Sequence, residues 1–241
     1  MNELAGGARI SRDIDLFHDT SEALATSWAA DRQTLESNGY AVAVLHERET
    51  FVEAIITKQN QKVAMQWTRD SAFRFFPLVE HPDFGLSLHP FDLATNKVLA
   101  LVGRVEARDW VDIITCSENL QHLGLLAWAA CGKDPGFSPI GILDHAARSS
   151  RYTREEIESL VFSGSSPDAA DLSRRWHSML EEARGIVRAL PAGEAGHCVL
   201  DACGKLLTGT ADFLSQKIAA GEMHFHAGRI RGAFPRMRNL P

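Results

Sequence analysis

Apolar and polar positions first alternate along this chain and then switch to helical spacing. The run Arg9-Ile10-Ser11-Arg12-Asp13-Ile14-Asp15-Leu16-Phe17 alternates toward its end, the pattern of a strand with one buried face. Residues 21–37 read as a helix with Leu24, Trp28 and Leu35 on one side. Thr20 or Ser21 is placed to cap its start, and Gly39 stands just past its end. Strand candidates follow at 40–45, 51–57 and 62–68, joined by short polar links at 46–50 and 58–61, which predicts a meander. Residues 71–90, with three prolines and many aromatics, predict an ordered loop on the sheet edge. Helical spacing then governs 91–103, 107–118, 122–132, 139–150, 153–162 and 168–190. Pro167-Asp168-Ala169 opens the longest of these. Residues 191–196 read as a linker, and 198–207, 210–220 and 223–234 as strand, helix and strand. No repeat or low-complexity tract interrupts the order. The expectation is an α+β protein: a mixed β-sheet region over 1–90, a following helical layer over 91–190, and a small C-terminal strand–helix–strand unit over 191–241.

Bulk composition narrows the picture only slightly. The 241 residues are 45% hydrophobic and 23% charged, enough for one large domain or two small ones. A net charge of −6 gives no whole-protein field for nucleic acid. No run of 18 apolar residues is present, and the N-terminus lacks the basic and apolar regions of a secretory signal. The four cysteines, Cys116, Cys131, Cys198 and Cys203, form no CxxC pair, so a reduced cytoplasmic protein is expected. A metal site of Cys198, Cys203, His224 and His226 fits none of the usual zinc spacings; buried thiols and exposed imidazoles are the plainer reading. Signatures of serine hydrolases, zinc proteases, P-loops and dinucleotide-binding folds are absent.

Chemistry enters with Asp13 and Asp15. Residues two apart on a strand share a face, roughly 6–7 Å apart at Cα, while Ile14 and Leu16 point the other way, toward a core. Paired carboxylates repel unless a cation or donors compensate. Two hard oxygen ligands on a rigid strand suit Mg²⁺ that also binds a nucleoside triphosphate. The same two residues would also be found on an ordinary charged strand end.

Context makes the pair more specific. Ser11-Arg12-Asp13-Ile14-Asp15-Leu16-Phe17 resembles the S-x-D-I-D-L-F signature of the AbiEii/AbiGii-type toxin nucleotidyltransferases. A second block is similar to that family's D-L-x-x-N-K-x-x-A-L helix and R-x-x-x-R-D-x-x-D run. It reads Asp92-Leu93-Ala94-Thr95-Asn96-Lys97-Val98-Leu99-Ala100-Leu101, then Arg104, then Arg108-Asp109-Trp110-Val111-Asp112. The two blocks stand in the right order about 80 residues apart, and the resemblance covers roughly 9–118. It implies a nucleotidyltransferase fold, Mg²⁺ with NTP as substrate, an RNA (tRNA) or protein acceptor, and an antitoxin or regulator as partner. Asp13, Asp15 and Lys97 are the expected catalytic residues, with Ser11 and Lys97 on the nucleotide. Lys97 lies at an angle from the packed face of Ala94, Val98, Leu101 and Val102, where it can neutralise triphosphate charge or simply lie over the surface. Arg108, Asp109 and Asp112, at helical spacings, are also explained by a salt-bridge lattice that ties two helices together. Asp70–Pro77 and Gly132–Gly136 read as subgroup features without assigned chemistry.

Two departures from the pattern matter. Gly6-Gly7 come only six residues before Asp13, with no room for the phosphate-binding helix that should lie between. A shortened turn or a start upstream of Met1 would explain this. In the strand 63–68 Gln66 stands where a third carboxylate is expected; it brings no charge and cannot act as a base. Asp70, on the following turn, is the expected substitute as third metal ligand, ahead of Glu53. Past His224 the chain carries Arg229, Arg231, Arg236 and Arg238 with Phe225 and Phe234 and no acid, a composition that suits RNA as well as a basic tail. An active transferase, an inactive fold that binds a partner, and a generic α+β protein all remain open at this level.

Overall fold

The structure is a computed structural model and describes residues 7–148 and 152–236. Its contacts divide into two units, Ser11–Ala72 and the remainder, Met1–Ile10 with Phe73–Pro241.

The smaller unit is the predicted sheet. It contains β1 (Asp13–His18), α1 (Ser21–Ser37), β2 (Ala41–Arg48), β3 (Phe51–Lys58) and β4 (Gln61–Arg69). The four strands lie in the order β1-β4-β3-β2; β1 runs parallel to β4 and the rest form an antiparallel meander. Gln59 and Asn60 turn the chain between β3 and β4 with φ of 51° and 66°, the two positive values of the tight hairpin whose twist matches its strands. Thr20 caps α1, its Oγ1 accepting from Ala23 N at 3.1 Å, and Gly39 leaves the helix with φ +77°. Leu24 and Trp28 of α1 pack on Val52, Ala54, Ile56 and Trp67, all buried. The Trp28 and Trp67 rings meet at 4.7 Å, and their polar ends are satisfied by Glu47 at 3.3 Å and Asp31 at 2.8 Å. One sheet face is thereby covered by α1.

The larger unit begins with three short strands, β5 (Phe73–Arg74), β6 (Val79–His81) and β7 (Gly85–Ser87). The stretch expected to be a loop thus holds a hairpin, β6 with β7. Helices α2 (Pro90–Arg104), α3 (Ala107–Asn119), α4 (Leu123–Ala130), α5 (Pro139–Arg148), α6 (Arg154–Glu158) and α7 (Ala169–Ala189) follow. The expected helix 139–150 ends outside the described residues, and α6 is shorter than the 153–162 expected. Next come β8 (His197–Asp201), α8 (Ala211–Ala219), β9 (Met223–Ala227) and β10 (Arg229–Ile230). β8 pairs with β9, and β10 pairs with β5. Every residue of α4 is buried, making it the axis around which α2, α5, α7 and β8 are arranged.

The expected boundaries at 90 and 190 need correction. A single hydrophobic cluster runs from Phe75 through the helices to Cys198–Leu200 and Leu214, so the helical layer and the C-terminal elements share one core. The expected linker 191–196 is packed, not free. Its Gly196 approaches Gly132 so closely that a Cβ on Gly132 would stand 2.2 Å from the Gly196 oxygen. Trp128 Nε1 also donates to Glu194 O at 2.9 Å, and Gly196 N to Trp128 O at 2.9 Å. Among the described residues no helix is long and apolar enough to cross a membrane.

Candidate functional site

The sheet face opposite α1 carries the polar residues of the smaller unit. On β1 the alternation puts Asp13 and Asp15 on this face and Leu16 on the covered one, where it packs against the α1 core. Ile14 shares Leu16's side but remains 45% exposed, because β1 is an edge strand that α1 only partly covers. Ser11 donates its hydroxyl to Asp13 Oδ1 and so orients that carboxylate.

Register decides which side chains share a line across the face. Asp15 is opposite Gln66, and Gln66 is opposite Glu53. Gln66 Nε2 donates to Glu53 Oε1 at 3.0 Å, and His46 Nδ1 meets Glu53 Oε2 at 2.9 Å. Asp15, Gln66, Glu53 and His46 therefore form one row over β1, β4, β3 and β2. His46 takes the hydrogen bond first and Gln66 second in holding the Glu53 carboxyl below its usual range. Asp70 does not join the row. Its N–H bonds His18 O, which sets it beside Asp19, four positions beyond Asp15 and roughly 13 Å along the strand. Its carboxylate accepts from Ser71 N at 2.7 Å. As a ligand shared with Asp13 and Asp15 it is out of reach.

His46 reaches this face through an irregularity. Val44 pairs with Ala54, but His46 pairs with Glu53, so Leu45 is an extra residue. Were Leu45 paired regularly with Glu53, His46 would oppose Val52 and turn toward α1. Sequence reading assigned His46 to a link, and a bulge of this kind leaves no clear mark in composition.

In the larger unit the second sequence block splits into two buried charge networks. Asp109 is fully buried at the start of α3. Arg104 grips it with two bonds, 2.6 and 3.0 Å, and Lys97 Nζ donates to it at 3.0 Å. Lys97 also lies 3.3 Å from Asp112, which receives Arg9 at 2.7 and 2.9 Å. Burial raises the Asp109 carboxyl, but Arg104 and Lys97 outweigh it and hold the group below its usual value. Arg9 is fixed further by Ile10 N to Val161 O at 2.7 Å and Ser163 N to Ala8 O at 2.8 Å. Arg108 pairs instead with Glu106.

The second network involves Asp92, which is fully buried. Its carboxylate accepts from Phe75 N at 2.8 Å and Phe76 N at 3.0 Å and pairs with Lys133 Nζ at 2.9 Å. Lys133 also donates to Asn96 Oδ1 at 2.7 Å. The blocks around Phe75-Phe76 and Gly132-Lys133 thus gain a function: Asp92 and Asn96 clamp both onto α2.

The remaining candidates fall elsewhere. Cys198 stands opposite His226 in the β8–β9 pair, but His226 Nε2 is engaged with Phe75 O at 2.8 Å and Ala233 O at 3.1 Å. Cys203 lies exposed in the following turn. Burial, then the Asp112 charge, pushes the Cys116 thiol up to about 12, which leaves it unreactive. Arg229, Arg231 and Arg236 are exposed, as is Phe234, while Arg238 lies outside the described residues. A shallow hollow of about 450 Å³ between Trp28, Arg32, Glu36 and Glu47 is on the α1 side, across the sheet from Asp13 and Asp15.

No family model and no curated protein matches the chain. A crystal structure described as a "putative nucleotidyltransferase" from H. pylori is similar in fold, with a TM-score of 0.52 over 79% of this chain and 85% of that one, at 13% identity. At that identity the likeness shows the fold alone: a nucleotidyltransferase-like mixed sheet with helical layers.

Proposed function

We propose that this chain is a Mg²⁺-dependent nucleotidyltransferase of the AbiEii/AbiGii toxin type, transferring a nucleotide from NTP to an RNA or protein acceptor. The observation that carries the proposal is the placing of Asp13 and Asp15 side by side on the face opposite α1 of a nucleotidyltransferase-like sheet. Among the described residues no three His, Cys, Asp or Glu side chains converge as a protein-only metal cage. Mg²⁺ keeps several of its waters and is typically held by one or two carboxylates together with the substrate's phosphates. Such an ion, once bound, would neutralise phosphate charge and draw the acceptor oxygen toward phosphorus. Asp13 and Asp15 would hold it, with Ser11 fixing the Asp13 carboxylate.

Lys97 enters the proposal with two of its three N–H donors engaged by Asp109 and Asp112. Arg9, Lys97 and Arg104 set three cations against these two carboxylates, although Glu106 at 3.8 Å takes a share of Arg104. An RNA such as tRNA, and an antitoxin or regulator protein, are the proposed macromolecular partners, in the cytoplasm.

A second reading has its own observation. Gln66, neutral and bonded to Glu53, stands in the row where a third acid is expected, which favours a catalytically degenerate fold that acts by binding a partner. Incubation with labelled NTP, Mg²⁺ and total RNA or protein decides between them. The transferase reading requires label on the acceptor that disappears in Asp13→Ala and Asp15→Ala. Asp70→Asn should not change the rate. Absence of transfer under all four nucleotides, with partner binding intact, would establish the second reading.

A further inference from the structure

We infer that His46, oriented by Glu53, is the general base that takes the proton from the acceptor hydroxyl. The inference rests on the nucleotidyl-transfer reading above and adds the proton acceptor that Gln66 cannot supply.

Three observations converge on His46. The bulge at Leu45 spends one residue of β2 to turn His46 away from α1 and onto the face of Asp13 and Asp15. Bulges concentrate beside active sites, where they redirect a side chain in this manner. Glu53 then engages Nδ1 at 2.9 Å. With Nδ1–H donating to the carboxylate, Nε2 carries the lone pair, the tautomer a base requires. Finally, Gln66 holds the other Glu53 oxygen at 3.0 Å, so Glu53 cannot swing away from the ring. Gln66 in this light is a positioning residue: it replaces an acid but anchors the acid one strand further on.

The spacing suits the reaction. Asp15 and His46 are three strand separations apart, roughly 14 Å at Cα. Two side chains leaning inward across that gap leave room for a metal-bound phosphoryl group and an acceptor oxygen. In the step, the acceptor oxygen forms a bond to the α-phosphorus and the bond from phosphorus to the pyrophosphate oxygen breaks. The hydroxyl proton passes to His46 Nε2, and Glu53 stabilises the imidazolium. Of the charged groups near the ring, Glu53 on β3 and Arg48, two residues along β2, share its face. Glu47, Arg32 and Glu36 belong to the α1 side. His46 is 57% exposed, so its replacement is not expected to disturb the fold.

Three measurements on the full chain test the inference. In wild type, ¹⁵N NMR of His46 should show the Nδ1–H tautomer, and Glu53→Gln should mix the two tautomers. His46→Gln should keep Mg²⁺-dependent NTP binding within about twofold yet lose transfer by about 100-fold or more. His46→Gly should regain transfer in proportion to added imidazole. Undiminished transfer in His46→Gln, no response to imidazole, or an unchanged tautomer in Glu53→Gln would each overturn the base assignment while leaving the metal pair intact. Loss of Mg²⁺-dependent NTP binding in the wild type would remove the underlying reading, and this assignment with it.

Discussion

Replacing Asp92 with alanine should be among the most damaging single changes in the larger unit, and for a reason unrelated to catalysis. The carboxylate is fully buried and serves Phe75 N, Phe76 N and the Lys133 ammonium, itself only 8% exposed. Each buried N–H left without an acceptor costs about 1–3 kcal/mol. Removing one partner of a buried ion pair costs about 3–5 kcal/mol. These do not add in full, because Lys133 retains Asn96 at 2.7 Å and the Asp92 backbone oxygen at 3.1 Å. A net loss of about 4 kcal/mol is expected, a large part of the ~5–15 kcal/mol that holds a domain together. For a unit of this size that corresponds to a fall in Tm of roughly 8–16 °C. Urea unfolding followed by circular dichroism, together with calorimetry, measures it. Asp92→Leu combined with Lys133→Met should recover part of the loss, since an apolar pair of similar volume leaves no buried charge unpaired. A loss below about 1 kcal/mol, or a double variant as unstable as the sum of the singles, would refute this account of the second sequence block.

Two other outcomes follow from the same unit. The Asp109 carboxyl is held below its ordinary value when folded, so its contribution is present above the unfolded value of about 3.9 and is lost as pH falls through the lower folded one. Asp109→Asn should therefore be less stable at neutral pH and show a shallower loss of stability in acid, read by unfolding at a series of pH values; parallel curves would contradict it. Gly132→Ala puts a Cβ 2.2 Å from Gly196 O, backbone against backbone, and should cost about 1–3 kcal/mol in a thermal melt, whereas Gly103→Ala, with open space around it, should not.

How much of this was legible in the sequence depends on distance along the chain. The smaller unit is built from local signals: Thr20 and Gly39 bound α1, the period of two fixes which face Asp13 and Asp15 share, and Gln59-Asn60 closes the meander. What failed there was the single extra residue at Leu45, since strand composition is indifferent to a one-residue insertion. In the larger unit the helices were readable from their period, but their partners were not. Arg9 meets Asp112 across 103 positions, Lys133 meets Asn96 across 37, and β5 finds β10 through two residue pairs. Nothing in the local pattern encodes such pairings. Residues 191–196 have the composition of a linker, yet they are docked because two glycines allow backbones to touch. Asp70 failed as a metal ligand because closeness in sequence to Gln66 becomes distance along the strand once β1 and β4 pair in parallel. Lys97 is readable as a lysine off the packed face, but helical spacing alone does not show that Asp109 and Asp112 are its partners.

The central claim, that Asp13 and Asp15 hold Mg²⁺ with a nucleoside triphosphate, is tested most directly by calorimetric titration of NTP into the full chain with Mg²⁺ and with EDTA. Triphosphate charge beside two carboxylates is tolerable only with the cation between them. Binding should therefore appear with Mg²⁺, vanish in EDTA, and be lost in Asp13→Ala and in Asp15→Ala, with both variants as stable as the wild type. Binding of equal strength in EDTA, or retained in both variants, would contradict the claim.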